Sequence, residues 1–335
     1  MKRKIVLYGG YSDNEYNAET VYDTKGCGGS EIALIKLAEN LAKDKRNEVV
    51  VSSSMIIEGT FKGILHLNKK SLNNYLNNNE VDIAIVSRYI HYVLDHKLAK
   101  KNYLWLHDYQ PHSWWNGKQF NPEVLGNLFP LFDKVVCVSD WQAGVQISRY
   151  GEHVKEFLTT IHNGVDQSNF PKEIDTSLKQ SGKIVFNCRT SGLQNAVDWF
   201  NEYKKHNQNA ELHVFAQEAG LQHVAGDLTG VFDRGRVSNI EMINELVTAE
   251  IWINSSTVPE TFCISSVEAQ LCKCIPVIMP QAGMLEITPH YNDVKSHNID
   301  FTTRQIEENY KSALDFTWER NAKEFNVLIN KKYNV

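Results

Sequence analysis

The chain has 335 residues, of which 42% are hydrophobic and 22% charged, and its formal net charge is −5. This composition indicates a folded chain with an ordinary core, and the length predicts about two domains. No Lys/Arg cluster is long enough to follow a phosphate backbone, so we expect no nucleic-acid partner. The longest apolar runs, such as CIPVIMP, fall far short of the roughly 20 residues that a transmembrane helix needs. Peripheral membrane contact stays open.

Six cysteines are spread along the chain and none forms a C-x-x-C pair. Cys272 and Cys274 are close in sequence, but no His or second Cys pair lies nearby at metal-ligand spacing. This pattern favours reduced, buried cysteines and a cytoplasmic location. The N-terminal stretch MKRKIVLYGG is too short in its apolar part for a signal peptide and predicts a first strand.

Short β-branched runs alternate with longer helical patterns. The predicted strands of the first half cover residues 4–10, 48–54, 81–87, 102–108, 134–140 and 159–165. Those of the second half cover 183–189, 210–216, 229–235, 250–256 and 274–280. The predicted helices cover 30–44, 139–150, 193–206, 238–247 and 265–273, and the tail from about residue 307 is also helical in pattern. Such alternation predicts βαβ units and parallel sheets covered on both faces.

The alternation of predicted strands and helices is interrupted once, by a polar stretch around residues 165–183 that contains Pro171 and Gly182. We therefore expect an N-terminal domain (1–165), a linker (166–182), a C-terminal domain (183–310) and a final helix (311–335) that can pack back on the first domain. Ligands of open α/β sheets bind beyond the carboxyl ends of the strands. Two such sheets facing each other would form a cleft suited to a small molecule.

In the first half of the chain, two polar groups lie where a ligand beyond the carboxyl ends of the strands could reach them. The glycines of KGCGGSE precede the first helix, where backbone N–H groups can approach an anion; the alternative is a loop that needs positive φ. His107 and Asp108 end the strand 102–108. A histidine there can act on a ligand or can simply be a satisfied hydrogen-bond partner.

In the second half of the chain, the candidate ligand-binding residues that follow strands are arginines. Arg189 ends the strand 183–189, and its guanidinium suits bidentate phosphate binding, although a domain-interface ion pair is the alternative. Arg234 and Arg236 flank Gly235 in a loop before the helix 238–247. That loop alone also fits an ordinary solvated turn.

The stretch VPETFCISSVEAQLCKCIPV combines several groups that can bind a ligand. Glu260 lies in a predicted loop, and Glu268 lies one turn inside the helix that follows. The backbone N–H groups of residues 262–264 fall at the start of this helix, where the dipole favours an anion. Carboxylates accept hydrogen bonds from sugar hydroxyls, so the stretch is suited to a ligand with both phosphate and hydroxyl groups, such as a nucleotide sugar.

The string PETFCISSVEAQLCKCIPVIMPQAGMLE resembles the Glu–seven residues–Glu motif of retaining GT-B glycosyltransferases, which use nucleotide-sugar donors without a metal. GGSEIALIKLAENLA, VCVSDWQ with IHNGVDQSNF, and GRVSNIEMINELVTAEIWINSS are similar to further segments of that family. The matches run in the family's order from about residue 26 to residue 288. The resemblance implies an α/β protein with the GT-B fold, in which two Rossmann-like doubly wound domains face each other across a cleft.

The resemblance also implies roles for particular residues. Glu260 would hold the donor hexose, Arg189 would stabilise the leaving diphosphate, and His107 would lie near the transferred sugar. Glu268 would bind the ribose hydroxyls. The remaining donor-binding positions would be Gly28, Gly29, Arg236, Val237, Phe262, Cys263 and Ile264.

The implied activity is transfer of a hexose from a nucleotide sugar to an acceptor hydroxyl with retention of anomeric configuration. A UDP- or GDP-sugar is the expected donor, and no cofactor or metal is expected because the sequence contains no Asp-x-Asp. No sequence pattern indicates whether the acceptor is a glycan, a glycoprotein or a lipid.

One departure from the family pattern concerns the diphosphate. The family usually has a lysine about five residues after the arginine, whereas this chain has Gln194 or Asn195. Loss of one preorganised donor to a developing charge typically costs about 100- to 1000-fold in rate. The alternative is therefore a GT-B protein that binds or epimerises a nucleotide sugar without transferring it. An NAD-dependent dehydrogenase is disfavoured, because YGGYSDNEY lacks G-x-G-x-x-G and EVVVSSS ends without an acid.

Overall fold

The structure is a computed structural model that describes residues 2–22, 27–97, 99–115, 118–188, 190–216, 221–297 and 299–331. The chain forms two compact units. Unit 1 comprises Met1–Gly164 together with Trp318–Val335, and unit 2 comprises Val165–Thr317. Each unit is built on a parallel sheet, as predicted.

The strands of unit 1 are β1 (Arg3–Gly10), β2 (Asn47–Ser53), β3 (Gly59–Phe61), β4 (Ile64–Leu67), β5 (Ile83–Ser87), β6 (Lys101–Trp105), β7 (Trp114–Trp115), β8 (Lys118–Gln119), β9 (Lys134–Cys137) and β10 (Leu158–Thr160). Eight of them form one sheet in the order β10-β9-β6-β5-β1-β2-β4-β3. The neighbours are parallel except for β3, which runs antiparallel to β4. β7 and β8 form a separate antiparallel pair.

The helices of this first stretch are α1 (Gly29–Ala42), α2 (Lys69–Asn78), α3 (Tyr92–Asp95) and α4 (Asp140–Tyr150). α1 forms because its apolar residues recur at helical spacing and bury one face. α4 begins at Ser139, whose side chain accepts a hydrogen bond from the backbone N–H of Gln142, and ends at Gly151 with a positive φ of 96°.

Unit 2 contains the strands β11 (Gln180–Phe186), β12 (Glu211–Val214), β13 (Val231–Asp233), β14 (Ala249–Asn254), β15 (Ile275–Ile278) and β16 (Asn292–Asp293). Its sheet has the order β13-β12-β11-β14-β15-β16, and every neighbouring pair is parallel. The helices are α5 (Leu193–Lys204), α6 (Asn239–Thr248), α7 (Ile264–Leu271), α8 (Met284–Ile287) and α9 (Thr303–Ala313). The large core residues include Phe186, Trp199 and Phe200, which are buried between β11 and α5.

The last helix, α10 (Trp318–Asn330), returns to unit 1 and packs against α1. Phe325 meets Trp105 edge-on at the end of β6, with ring centroids 5.0 Å apart. The side-chain amide of Asn321 donates to the carbonyl oxygen of His162 over 2.8 Å. Among the described residues, no helix combines the length and the apolar run needed to cross a membrane.

The structure corrects several element boundaries. β6 ends at Trp105, where its pairing with β5 and β9 stops, so His107 and Asp108 lie in the following loop and not within the strand. The helical tail is interrupted between α9 and α10. α2 was not predicted, because asparagine is a poor helix former; Leu72 and Leu76 bury one face of this helix.

Gly192 lies where the loop after β11 crosses the loop after β14. A Cβ built on Gly192 would be 2.5 Å from the backbone nitrogen of Ser256 and 2.6 Å from the carbonyl carbon of Ser255. Its φ of −98° is open to any residue, so the requirement for glycine is purely steric. The two loops are therefore in backbone contact.

We predict that Gly192→Ala destabilises unit 2 by about 1–3 kcal/mol, because backbone on the facing loop cannot move aside as a flexible side chain would. Chemical denaturation followed by far-UV circular dichroism measures this change. Gly144→Ala in α4 is the matched control, because a Cβ there meets nothing within 4 Å and should stabilise by about 0.5–1 kcal/mol. Equal midpoints for the Gly192 variant and the parent protein would contradict the close approach.

Candidate functional site

The loop after β14 is fixed by its own polar groups. Asn254, at the end of the strand, is buried, and its side-chain oxygen accepts from the backbone N–H of Ser256 over 3.1 Å. Ser255 donates through Oγ to the carbonyl oxygen of Gly192 over 2.7 Å, and Gln281 donates to the carbonyl oxygen of Ser256 over 2.7 Å. The loop therefore reaches Glu260 along a defined path at the carboxyl edge of the sheet.

The start of α7 is equally fixed. Phe262 is buried and its ring meets that of Phe316 with centroids 5.5 Å apart. Cys263, the residue before the helix, adopts a left-handed conformation with φ 68° and ψ 73°. Such backbone costs about 1–3 kcal/mol and is concentrated at ligand sites. The N–H of Ser266 donates to the carbonyl oxygen of Cys263 over 3.0 Å, and the N–H groups before it, beginning with Ile264, lie at the positive end of the helix dipole.

Glu260 lies beside two thiols. Burial raises the pKa of Cys263 to about 12, and the Glu260 carboxylate adds to this increase. Burial also raises the pKa of Cys188, with further contributions from Cys263 and Glu260. The carbonyl oxygen of Glu260 accepts from the backbone N–H of Gly283 over 3.0 Å. Glu260 therefore lies close to Cys188, which follows β11 and directly precedes Arg189 in the chain. Arg189 itself lies outside the described residues.

Glu268 is a buried carboxylate in the second turn of α7, 7% exposed. The side-chain amide of Asn239 donates to its Oε1 over 2.9 Å. Burial raises the pKa of Glu268 to about 7, and the bond from Asn239 offsets part of this increase. Asn239 begins α6 directly after Ser238, so Glu268 is tied to the loop that carries Arg236 and Val237, of which Arg236 is exposed.

The two residues at the family's lysine position bond to neighbouring protein groups. The Gln194 side-chain amide donates to Asp198 and to the carbonyl oxygen of Ala225, and its oxygen accepts from the Ala225 N–H over 2.9 Å. Asn195 donates to the carbonyl oxygen of Ser255 over 3.2 Å. Both amides therefore hold loops of unit 2.

In unit 1, Gly28 and Gly29 begin α1, and the Glu31 carboxylate accepts from the Gly28 N–H over 3.0 Å. Gly26 lies outside the described residues. Arg88, which the sequence motifs do not single out, follows β5 with a positive φ of 68°. Its Nε donates to Oδ2 of Asp108 over 2.6 Å, and its Nη1 lies 3.4 Å from Oγ of Ser30 at the start of α1. The rule that polar residues following strands face a ligand could have identified it.

His107 lies between these groups and the core. Its ring is 4.4 Å from that of Trp105, centroid to centroid. Burial lowers the pKa of His107 to about 3, Arg88 lowers it further, and Asp108 partly opposes both effects. The imidazole is therefore neutral at physiological pH and can donate or accept a hydrogen bond without carrying charge.

Two groups of predicted residues therefore emerge. In unit 2, Glu260 lies beside Cys263 at the start of α7, and Glu268 of α7 is bonded to Asn239, which follows the loop of Arg236 and Val237. Unit 1 places the start of α1 close to the loop of His107 through Arg88. Within the described ranges, no three His, Cys, Asp or Glu side chains are grouped so that they could hold a metal ion.

Comparison with known proteins identifies the fold. No family model matches the sequence, and no curated protein matches it either. Among solved structures, sucrose-phosphate synthase from Thermosynechococcus elongatus is similar with a TM-score of 0.72 and 12% identity, covering 98% of each chain. HepE from Anabaena, in complex with UDP and glucose, is similar with a TM-score of 0.67 and 15% identity, covering 98% of this chain and 99% of HepE.

The catalytic domain of starch synthase IV from Arabidopsis thaliana, bound to ADP and acarbose, is also similar. The TM-score is 0.64 at 10% identity, over 98% of this chain and 99% of that domain. These likenesses define the class of fold. The chain has the GT-B fold of two Rossmann-like units, as the sequence resemblance implied.

We predict that Glu268 makes the free protein less stable as pH rises. Its folded pKa of about 7 exceeds the usual 4.5, so its protonated form stabilises the fold below about pH 4.5, and this contribution is lost as pH rises through about 7. The difference corresponds to on the order of 3 kcal/mol. Glu268→Gln should therefore be more stable than the parent above pH 7 and nearly equal at acidic pH.

Thermal denaturation of both proteins across this pH range measures the effect. Glu202→Gln is the control, because Glu202 is on exposed surface in an ion pair with Lys205. A Glu268→Gln variant that loses stability at every pH would show that the carboxylate is held ionised.

Proposed function

We propose that this protein is a metal-independent glycosyltransferase that moves a hexose from a nucleotide sugar to an acceptor hydroxyl with retention of anomeric configuration. The observation that supports the proposal is the start of α7 in unit 2, where Glu260 lies beside Cys263, the residue before the helix, and the buried Glu268 of the helix is bonded to Asn239. Two proteins of similar fold were solved with UDP and glucose, and with ADP and acarbose. The spacing from Glu260 to Glu268 supports the retaining class.

Donor binding follows from the chemistry of this edge. The N–H groups at the start of α7 would bind the diphosphate, and Glu260 would accept from hexose hydroxyls. Glu268 would accept from the ribose hydroxyls, with Asn239 fixing its orientation. Hydrogen bonds to the ionised carboxylate would lower the pKa of Glu268, so binding would stabilise a charge that the free protein buries at a cost.

Transfer would proceed with little covalent help from the protein. The bond between the anomeric carbon and the diphosphate oxygen breaks, and the acceptor oxygen bonds to the same face of the sugar. The acceptor proton passes to the leaving diphosphate oxygen. Arg189 would stabilise that oxygen, and neutral His107 would position the transferred sugar, so that positioning and charge stabilisation supply most of the acceleration.

A second candidate is a GT-B protein that binds or epimerises a nucleotide sugar without transferring it. The observation that favours it is the engagement of Gln194 and Asn195 with protein groups at the position where the family usually has a lysine. Neither amide carries a positive charge to stabilise a leaving diphosphate. Both candidates require the same donor site.

We predict that one class among UDP-, GDP- and ADP-sugars raises the melting temperature of the protein and still does so in EDTA. Glu260→Ala and Glu268→Gln should each weaken this ligand about tenfold or more in calorimetric titration, because each loses a charged hydrogen-bond acceptor. Glu202→Gln should bind as the parent does, since its carboxylate is exposed and paired with Lys205.

Turnover separates the two candidates. Release of nucleotide diphosphate from the bound donor, alone or with an acceptor mixture, supports transfer, and binding without release or transfer supports the second candidate. A protein that is folded yet binds none of the three donor classes contradicts both.

A further inference from the structure

A lysine and a cysteine meet at the amino ends of the unit 2 strands, at the opposite edge of that sheet from the proposed donor site. Lys179 directly precedes β11, and Cys274 directly precedes β15. Nζ of Lys179 donates to Sγ of Cys274 over 3.5 Å. The two residues are 95 positions apart in the chain, so the fold of unit 2 brings them together. The proposed transfer uses neither side chain.

Two backbone carbonyl oxygens hold both side chains in place. Nζ of Lys179 donates to the carbonyl oxygen of Leu246 over 3.0 Å and to that of Ala249 over 2.6 Å. Sγ of Cys274 lies 3.2 Å from the Leu246 oxygen and 3.5 Å from the Ala249 oxygen. An ammonium group has three N–H donors, so two bonds to carbonyl groups leave the third for the sulfur. The nitrogen and the sulfur are therefore fixed side by side.

The end of α6 explains the lysine but not the cysteine. α6 ends at Thr248, and a lysine that bonds to the last carbonyl groups is a common way to end a helix. Cys274 is 1% exposed, and a valine or an alanine would fill such a position without placing a reactive group next to an amine. Burial raises the pKa of the Cys274 thiol, and Lys179 opposes this increase. The lysine thus favours the thiolate, which is the form that an oxidant attacks.

The pair lies just beneath the surface of unit 2. Lys179 is half-buried, and Leu178 beside it is 53% exposed. Because the lysine side chain extends from the surface to the sulfur, a small oxidant such as hydrogen peroxide has a short distance to travel. The neighbouring thiol, Cys272, is fully buried, and its Sγ lies 4.0 Å from the carbonyl oxygen of Ile243. Cys272 therefore provides a comparison thiol in the same part of the fold.

We propose that Lys179 and Cys274 are an oxidation site, at which hydrogen peroxide joins the lysine nitrogen and the cysteine sulfur through one oxygen atom. The product is a covalent N–O–S bridge. The proposal does not depend on the proposed function, because the pair lies at the amino edge of the sheet and the candidate donor site at its carboxyl edge.

The bridge forms in two oxidations, each of which consumes one hydrogen peroxide. First, the thiolate sulfur attacks a peroxide oxygen; the S–O bond forms, the O–O bond breaks, and the released hydroxide takes up the thiol proton as water. Cys274 is now a sulfenic acid. Second, Lys179 releases its extra proton to solvent, and its nitrogen bonds to the sulfenic oxygen. One proton from nitrogen, one from oxygen and two electrons pass to the second peroxide, which becomes two waters.

The test exposes the full chain to hydrogen peroxide, alkylates the remaining thiols, digests with trypsin and analyses the peptides by mass spectrometry. Trypsin cleaves after lysine, so the untreated protein yields separate peptides 173–179, 180–183 and 274–295. The bridge should block cleavage after Lys179 and link peptide 173–183 to peptide 274–295. The linked species should have the mass of both peptides plus one oxygen and minus two hydrogens, and dithiothreitol should separate it.

The composition of the two peptides makes this result specific. Peptide 173–183 contains no cysteine, so a reducible link to it cannot be a disulfide. Peptide 274–295 contains Met279 and Met284, which peroxide also oxidises. Fragment ions should therefore place the added oxygen at the link and not on either methionine.

Three variants identify the atoms of the bridge. Lys179→Arg and Cys274→Ser should each abolish the link. Arginine can still bond to the carbonyl oxygens of Leu246 and Ala249, and serine keeps a hydroxyl donor, so each variant retains the contacts of the parent side chain. Cys272→Ser is the matched control, because it removes the neighbouring buried thiol and should form the link to the same extent as the parent. If a variant fails to fold, the linked peptides of the parent protein still decide the proposal.

The bridge should also change the stability of the parent protein. A covalent link between residues 95 positions apart restricts the unfolded chain, so treatment with peroxide should raise the melting temperature by roughly 5–10 °C. Dithiothreitol should reverse the increase. Lys179→Arg should show no such increase after the same treatment.

Several outcomes would overturn the proposal. One is oxidation of Cys274 to a sulfinic acid while trypsin still cleaves after Lys179, and another is a disulfide between Cys272 and Cys274. Linked peptides that lack the additional oxygen would reveal a direct N–S bond and contradict the bridge. An unchanged Cys274 under conditions that oxidise Met279 and Met284 would show that the pair is inert.

Discussion

Burial of the Glu268 carboxylate is the constraint on which the candidate donor site depends. A carboxylate taken out of water is costly unless charges or hydrogen bonds compensate it, and here one amide, from Asn239, bonds to it. A leucine or methionine of similar volume would fill the space between α6 and α7 at lower cost. The acid at this position therefore lowers the stability of the free protein, and it provides a group that can accept hydrogen bonds from a ligand.

The surroundings of Glu268 keep that acid in one orientation. The backbone contact of Gly192 with the loop after β14 brings the ends of β11 and β14 together, and this loop leads to Glu260. The left-handed Cys263 then turns the chain into α7, so that the helix N-terminus and both acids belong to one short stretch. Strain at Cys263 and charge burial at Glu268 have the same explanation if a polar ligand binds between them.

Much of this arrangement was predictable from local patterns. The parallel strands follow from short β-branched runs between helical segments, and the position of Glu268 follows from its place inside the helix after β14. Contacts between distant residues were not predictable. Asn239 and Glu268 are separated by 29 positions and meet because α6 packs on α7. Arg88 and Asp108 meet because β5 and β6 are adjacent, which no local periodicity reveals.

Among the features that bear on function, the positions at which the strands end are the hardest to predict from the sequence. The sequence predicts His107 within a strand, whereas the pairing of β6 with its neighbours stops at Trp105. Because His107 is not paired in the sheet, the loop can place its ring against that of Trp105. Burial lowers the pKa of His107 there, so the imidazole stays neutral. The carboxyl edge of a parallel sheet is where side chains depart from the regular pattern, so ligand groups and boundary errors occur at the same positions.

The most direct test of the central claim is hydrogen–deuterium exchange of the free protein and of the protein with UDP, GDP or ADP. We predict that one nucleotide slows exchange in peptides covering residues 255–268 and 236–242, while α9 exchanges at an unchanged rate. Protection confined to other parts of the chain, or none with any nucleotide, would contradict the assignment of this edge of unit 2 as the donor site.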